Sequence, residues 1–150
     1  MTRVRSSTWL RALAIVLGLF ALGHTLGTAS PKVTRGARES IVFMAMQGFR
    51  FPMMGFERSH WDFYRGFAIT VSVTMAVMAA VSWQLARIAQ RSPREALPMA
   101  VTLLLGSVGL LVLCWAFFFT PPVVFSAVAV ACASMAVVRL RGEGRREPAV

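Results

Sequence analysis

The sequence predicts an all-α membrane protein, a bundle of four transmembrane helices with an interfacial helix or folded loop between the first and second helices. Three observations lead to this fold class. Hydrophobic residues make up 57% of the chain, the mean hydropathy is +0.64, and the apolar residues collect in four long runs. A soluble domain of 150 residues could not bury so much apolar surface, whereas lipid accommodates it.

The four apolar runs set the expected helices. Crossing the hydrocarbon core takes about 20 residues, and the second and third runs reach that length without a charge. We expect one transmembrane domain over 1–150, with a disordered polar tail at 142–150. Its helices are expected at about 9–26, 60–86, 97–119 and 121–138. The tight Thr120-Pro121-Pro122 connection predicts that the last two helices form an antiparallel hairpin.

Small residues on the spans are expected to bring the helices close together, because there is little hydrophobic drive between helices in lipid. The pairs that suggest such contacts are Ala76 with Ala80, Gly106 with Gly109, and Ala127 with Ala131.

The first run has two interpretations. A basic start at Arg3 and Arg5, a short apolar stretch and small residues at 27–29 are also typical of a cleaved signal peptide. The apolar character continues to Leu26, however, which favours a retained helix. The run also has a face of small residues suited to helix packing: Ala14, Gly18 and Ala21.

The net charge of +10 indicates orientation rather than nucleic-acid binding, because no nucleic-acid-binding motif accompanies it. Ten basic residues fall on one side of a four-pass arrangement: Arg3, Arg5, Arg11, Arg87, Arg91, Arg94, Arg139, Arg141, Arg145 and Arg146. Six fall on the other side, over a much longer loop: Lys32, Arg35, Arg38, Arg50, Arg58 and Arg65. This bias predicts a multi-pass membrane protein with both termini in the cytoplasm.

The long first connection is rich in methionine and phenylalanine between Ser40 and Phe56. Such a segment would expose a large apolar patch in water, so we expect an interfacial helix from Ala37 to Gly48, ordered against the membrane. Thioether sulfur suits Cu(I), but methionine is also a flexible apolar filler, and no repeated methionine motif is present.

A polar cluster follows, in which Ser59 is expected to cap the second transmembrane helix with Asp62 at its third position. The candidate functional cluster comprises His24, Arg58, His60, Asp62, Tyr64 and Arg65. His24 is expected to face inward, with Asp62 or Tyr64 as its partner. The structural alternative is that Asp62 interacts with the helix dipole, Tyr64 lies in an aromatic belt and Arg65 contacts headgroup phosphate.

Three segments resemble a family of small bacterial four-helix integral membrane proteins of uncharacterised activity. They are G-H-T-L-G at Gly23–Gly27, the Met- and Phe-rich loop, and R-S-H-W-D-F-Y-R-G-F at Arg58–Phe67. The resemblance implies four passes in the bacterial inner (plasma) membrane. It implies no activity and transfers no catalytic residue.

These patterns favour a non-enzymatic bundle protein with an accessory, lipid-interacting or structural role. No charged residue lies inside the last three spans, so these spans lack the ionisable side chains that an ion-coupled transport path uses. The expected partners are membrane lipids, with a protein partner or a second copy left open, and no nucleic acid. The alternative is a membrane enzyme or a cofactor- or metal-binding protein with an outer-face site near His24 and His60. No cofactor or metal is predicted, since the expected depths of the two histidines differ by roughly 10 Å, too far for one haem iron.

Overall fold

The computed structural model describes residues 5–30 and 34–146, and in these residues the chain forms five α-helices and one two-stranded sheet. The elements in order are α1 (Ser6–Ala29), α2 (Ala37–Gly48), β1 (Arg50–Met53), β2 (Phe56–Ser59), α3 (His60–Arg91), α4 (Pro93–Phe117) and α5 (Thr120–Gly144). The helices α1, α3, α4 and α5 are each long and apolar enough to cross a membrane. The prediction of four such helices is confirmed, and they indicate a multi-pass membrane protein.

The helices extend beyond the apolar runs that predicted them. α4 begins earlier than expected, at Pro93, and α5 continues past 138 to Gly144. Residues 142–144, expected in a disordered tail, are therefore helical, and residues 147–150 lie outside the described residues. A helix can continue past the hydrocarbon layer because its backbone hydrogen bonds do not depend on apolar side chains.

The chain divides into two compact units. The bundle unit comprises Met1–Phe20 with Met75–Val150, and the hairpin unit comprises Ala21–Thr74. Both α1 and α3 contribute residues to each unit.

The bundle unit packs leucines against a large number of alanines. Its buried core includes Leu10, Leu13 and Leu17 of α1, Leu85, Ala86 and Ala89 of α3, Ala96, Ala100 and Leu103 of α4, and Ala129, Ala133, Ala136 and Leu140 of α5. Alanine lets helix backbones approach closely, and this supplies packing where lipid provides little hydrophobic drive. The small-residue pairs expected to do so are instead exposed: Ala76, Ala80, Gly106, Gly109, Ala127 and Ala131. The prediction was therefore wrong as to burial, although Gly106 does lie close to α3, since a β-carbon there would be 3.3 Å from Cε of Met78.

Three fully buried serines in the bundle unit show how polar groups are accommodated. The hydroxyls of Ser82, Ser107 and Ser126 each donate to a backbone carbonyl one turn earlier in the same helix, at 2.7 to 2.8 Å. Each hydroxyl is satisfied within its own helix, so it adds no unpaired polar atom to the core.

The last two helices form the expected antiparallel hairpin. Nε of Arg94, at the start of α4, donates to the backbone oxygen of Gly144, at the end of α5, at 2.8 Å. A β-carbon on Gly144 would lie 3.1 Å from Cγ of Arg94, so this position favours glycine. Phe118 and Phe119 are the only residues between the two helices.

The hairpin unit contains α2 and the antiparallel strands β1 and β2. The bounds of α2 match the predicted helix, and none of its residues is buried. The β-hairpin was not predicted. Met54 and Gly55 form its two-residue turn, with φ values of +48° and +86°. Turns with two positive φ values match the right-handed twist of a hairpin.

Candidate functional site

Ser59 and Asp62 form a capping box at the start of α3. The backbone N–H of Asp62 donates to the Ser59 hydroxyl oxygen at 3.2 Å, and the backbone N–H of Ser59 donates to Oδ2 of Asp62 at 2.9 Å. The Ser59 hydroxyl also lies 3.1 Å from the same carboxylate oxygen. These contacts satisfy donors that a helix start leaves unpaired. The predicted cap is confirmed, and it engages one carboxylate oxygen of Asp62.

His60 is the first residue of α3, and its ring lies among aromatic side chains. The ring centroids of His60 and Phe49 are 5.9 Å apart in a stacked arrangement, and those of His60 and Phe51 are 5.1 Å apart. Phe51 in turn stacks on Phe63 at 6.0 Å. The imidazole therefore connects the strand β1 to the first turn of α3 through ring contacts.

His24 lies on α1 and is half-buried, and its partner is further along α3 than expected. Nδ1 of His24 and Oγ of Ser72 are 2.9 Å apart. The expectation of Asp62 or Tyr64 as the partner was wrong. Ser72 follows His60 by twelve residues, which is about 18 Å of helix. The sequence could place His24 on the packed face of α1 but not at a depth along α3.

The remaining candidates lie at the surface of the hairpin unit. Arg58 donates from Nη1 to the backbone oxygen of Glu57 at 3.0 Å, and its guanidinium lies 5.0 Å from the centroid of the Phe56 ring. Tyr64 stacks on Trp61 with centroids 5.3 Å apart, and Arg65 is exposed. Arg58 and Asp62 border a shallow groove of about 280 Å³, whose other lining residues are Phe63, Gly66, Phe67 and Thr70.

The six candidates therefore do not converge on one reacting centre. His60, Asp62 and Arg58 lie close together at the start of α3, but their contacts are with a cap, phenylalanine rings and backbone oxygen. His24, on α1, contacts α3 at Ser72, twelve residues beyond His60. Within the described ranges, no three His, Cys, Asp or Glu side chains are grouped so as to hold a metal ion.

The second charged region of the molecule lies at the end of the bundle unit where α1 begins and α5 ends. We call it the basic end. Its residues are Arg5, Arg87, Arg91, Arg94, Glu95, Arg139, Arg141, Glu143, Arg145 and Arg146. Arg3 and Lys32, which entered the charge count, lie outside the described residues. The charge pattern predicted the composition of this end but not its geometry.

Glu143, in the last turn of α5, contacts the first turn of α1 within this region. One carboxylate oxygen accepts from the backbone N–H of Ser6 at 3.0 Å, and the other accepts from the Ser6 hydroxyl. A carboxylate at a helix start satisfies an unpaired donor and interacts favourably with the helix dipole. Sequence reasoning missed this contact because Glu143 was assigned to the disordered tail, and its partner lies 137 positions away.

Comparison with known proteins gives no match among family models, curated proteins or solved structures. The resemblance carried by Gly23–Gly27 and Arg58–Phe67 therefore stays a prediction. Function is argued from the geometry of the chain itself.

Proposed function

We propose that the chain is a non-enzymatic, four-pass bundle protein of the bacterial inner membrane whose basic end binds the anionic headgroups of membrane lipids. The observation that supports this proposal is the charge of that end, to which the part of the chain that the structure describes contributes eight arginines and two glutamates. Arginine donates paired hydrogen bonds to phosphate and keeps its charge at every physiological pH.

The same charge distribution supports a cytoplasmic location for the basic end. Anionic lipids of the cytoplasmic leaflet attract basic groups near the surface by about 1 kcal/mol each, within a Debye length of about 8 Å at physiological salt. The contact between Ser6 and Glu143 keeps the first turn of α1 and the last turn of α5 at one end of the bundle unit. This arrangement supports an even number of passes with both termini in the cytoplasm.

The contacts at the start of α3 favour a structural role over a catalytic one. Asp62 caps its own helix, and the ring of His60 packs on Phe49 and Phe51. A general acid–base pair needs side chains within hydrogen-bond reach of one reacting group. Of the two histidines that could serve in that chemistry, His60 begins α3, whereas His24 of α1 contacts Ser72, about 18 Å further along α3. The alternative of an enzyme or cofactor-binding protein at His24 and His60 is correspondingly less well supported.

Lipid-dependent thermal stability tests the proposal. The purified chain is reconstituted into nanodiscs of phosphatidylcholine alone or of phosphatidylcholine mixed with phosphatidylglycerol, and Tm is measured by intrinsic tryptophan fluorescence. We expect phosphatidylglycerol to raise Tm and added salt to reduce the increase, because exposed charges are screened. Equal Tm values in both nanodiscs at low salt would contradict the lipid-binding role.

A further inference from the structure

The basic end contains a partly open cavity of about 600 Å³, whose lining residues all belong to the bundle unit. Its polar wall includes Arg5, Ser7, Gln90, Arg139, Glu143 and Arg146, and its apolar wall includes Ala89, Pro93 and Val138. Small-molecule sites typically have volumes of about 300 to 1,000 Å³. The cavity is therefore large enough for a phosphate group together with the part of a molecule that carries it.

Arg139 contributes a buried donor that has no acceptor. Its Nε is inaccessible to solvent and makes no hydrogen bond within the part of the chain that the structure describes. Buried donors in proteins are almost always paired, and one on a charged group is especially costly to leave alone. Since Arg139 also lines the cavity, an anion bound there would offset part of the cost of burying its guanidinium group.

The charge of the cavity wall selects an anion. The cavity is lined by three arginines, Arg5, Arg139 and Arg146, and by one carboxylate, that of Glu143. This carboxylate already accepts two hydrogen bonds from Ser6. None of the three arginines forms an ion pair with an acidic group in residues 5–30 and 34–146. Because the Glu143 carboxylate caps α1, it already compensates the positive end of that helix dipole. The attraction of the cavity for an anion therefore comes from the guanidinium groups.

We infer that this cavity is a binding site for one phosphate group, held by the guanidinium groups of Arg139, Arg146 and Arg5. Guanidinium presents two parallel N–H donors that match two phosphate oxygens, which a point charge such as lysine does not do. The phosphate can belong to a phospholipid headgroup or to a soluble phosphate compound. The apolar wall formed by Ala89, Pro93 and Val138 favours the phospholipid, whose glycerol region has apolar surface to bury.

This inference rests on the proposed lipid-binding function and makes it more specific, from attraction at a charged surface to a single site. Surface attraction and a single site differ in which arginines are expected to affect lipid binding. Surface attraction depends on the number of charges at the basic end, whereas a site depends on the side chains that line the cavity.

Neighbouring arginines provide a matched pair of variants. Arg146 lines the cavity and Arg145 does not, and both are exposed residues beyond the end of α5. R146Q and R145Q remove the same charge from adjacent positions, and neither side chain is needed for the core. R139K is a further variant, because it keeps the charge of Arg139 but removes Nε and the planar donor pair.

The experiment measures the Kd of the full chain, delipidated in uncharged detergent, for short-chain phosphatidylglycerol, short-chain phosphatidylcholine and inorganic phosphate. We expect R146Q and R139K to weaken phosphatidylglycerol binding by about tenfold each, the equivalent of one charge-assisted hydrogen bond, and R145Q to change it little. Circular dichroism confirms that each variant keeps the helical content of the unaltered chain.

Each outcome supports or overturns a specific statement. If R145Q and R146Q weaken binding equally, the site is overturned and attraction at the basic end stands. If the unaltered chain does not prefer phosphatidylglycerol to phosphatidylcholine, both the site and the proposed function are overturned. If inorganic phosphate binds as tightly as phosphatidylglycerol and responds to the same variants, the phosphate site is supported and a soluble phosphate compound replaces the lipid as its ligand.

Discussion

The carboxylate of Glu143 caps the first turn of α1 through the backbone N–H and the hydroxyl of Ser6. This contact connects the first and last transmembrane candidates of the bundle unit, and α5 is helical to Gly144. Ser6 and Glu143 line the same cavity as Arg139 and Arg146.

Glu143→Ala is expected to lower the free energy of unfolding by about 1 kcal/mol, because removal of a helix cap has that typical effect. Reversible unfolding in mixed micelles measures the change. Ser6→Ala removes the hydroxyl but leaves the backbone donor, so its effect should be smaller and should largely disappear in the Glu143→Ala background. Additive effects of the two substitutions would show that the side chains do not interact.

His60→Phe is expected to leave stability nearly unchanged, whereas His60→Ala removes both ring pairs and should lower the free energy of unfolding by about 0.5 to 1.5 kcal/mol for each pair. Phenylalanine can keep the ring packing against Phe49 and Phe51. The same unfolding measurement in mixed micelles compares the two variants. If phenylalanine is as disruptive as alanine, the imidazole nitrogens rather than the ring matter, and the structural interpretation of His60 fails.

His24 and Ser72 are expected to show a coupling energy of about 0.6 kcal/mol in a double-mutant cycle, the usual value for a hydrogen bond between membrane-spanning helices. The variants are His24→Ala, Ser72→Ala and the double substitution, each assessed by unfolding in mixed micelles. Thr74→Ala is the control, because its hydroxyl donates to its own helix at Thr70. A coupling energy of zero between His24 and Ser72 would contradict the contact.

Met54→Asn is expected to stabilise the β-hairpin, because asparagine tolerates a positive φ more readily than methionine does. Amide hydrogen exchange across Arg50–Ser59 measures the effect, and protection should increase. Met53→Asn, in the adjoining strand, is the control and should not increase protection. Faster exchange in Met54→Asn would mean that the methionine side chain stabilises the turn in another way.

The confirmed predictions are those that depend on local sequence. Ser59 followed by Asp62 indicates a cap wherever a helix begins there, and the bounds of α2 follow from its apolar stretch. The buried face of α1 followed from spacing in part: Ala14 and Ala21 are both at least nine-tenths buried, whereas Gly18 is only half-buried.

The failed predictions depended on contacts between distant parts of the chain or on unusual turn residues. Polar composition at 142–150 indicated a tail, but Ser6 supplies a partner for Glu143 that no local pattern reveals. The hairpin turn contains Met54 where asparagine is usual, so only Gly55 hinted at it. The helix depth at which His24 finds Ser72 depends on how α1 and α3 are aligned, which residue spacing within one helix does not determine.

The lipids that remain bound to the chain test the proposed function most directly. Native mass spectrometry of the protein released from nanodiscs with equal amounts of phosphatidylcholine and phosphatidylglycerol counts each retained lipid. We predict that phosphatidylglycerol is retained preferentially, and that the preference falls when Arg87, Arg91, Arg141 and Arg145 are replaced together by glutamine, since these arginines supply half of the positive charge of the basic end. Equal retention of the two lipids by the unaltered protein would contradict the proposal that the basic end binds anionic headgroups.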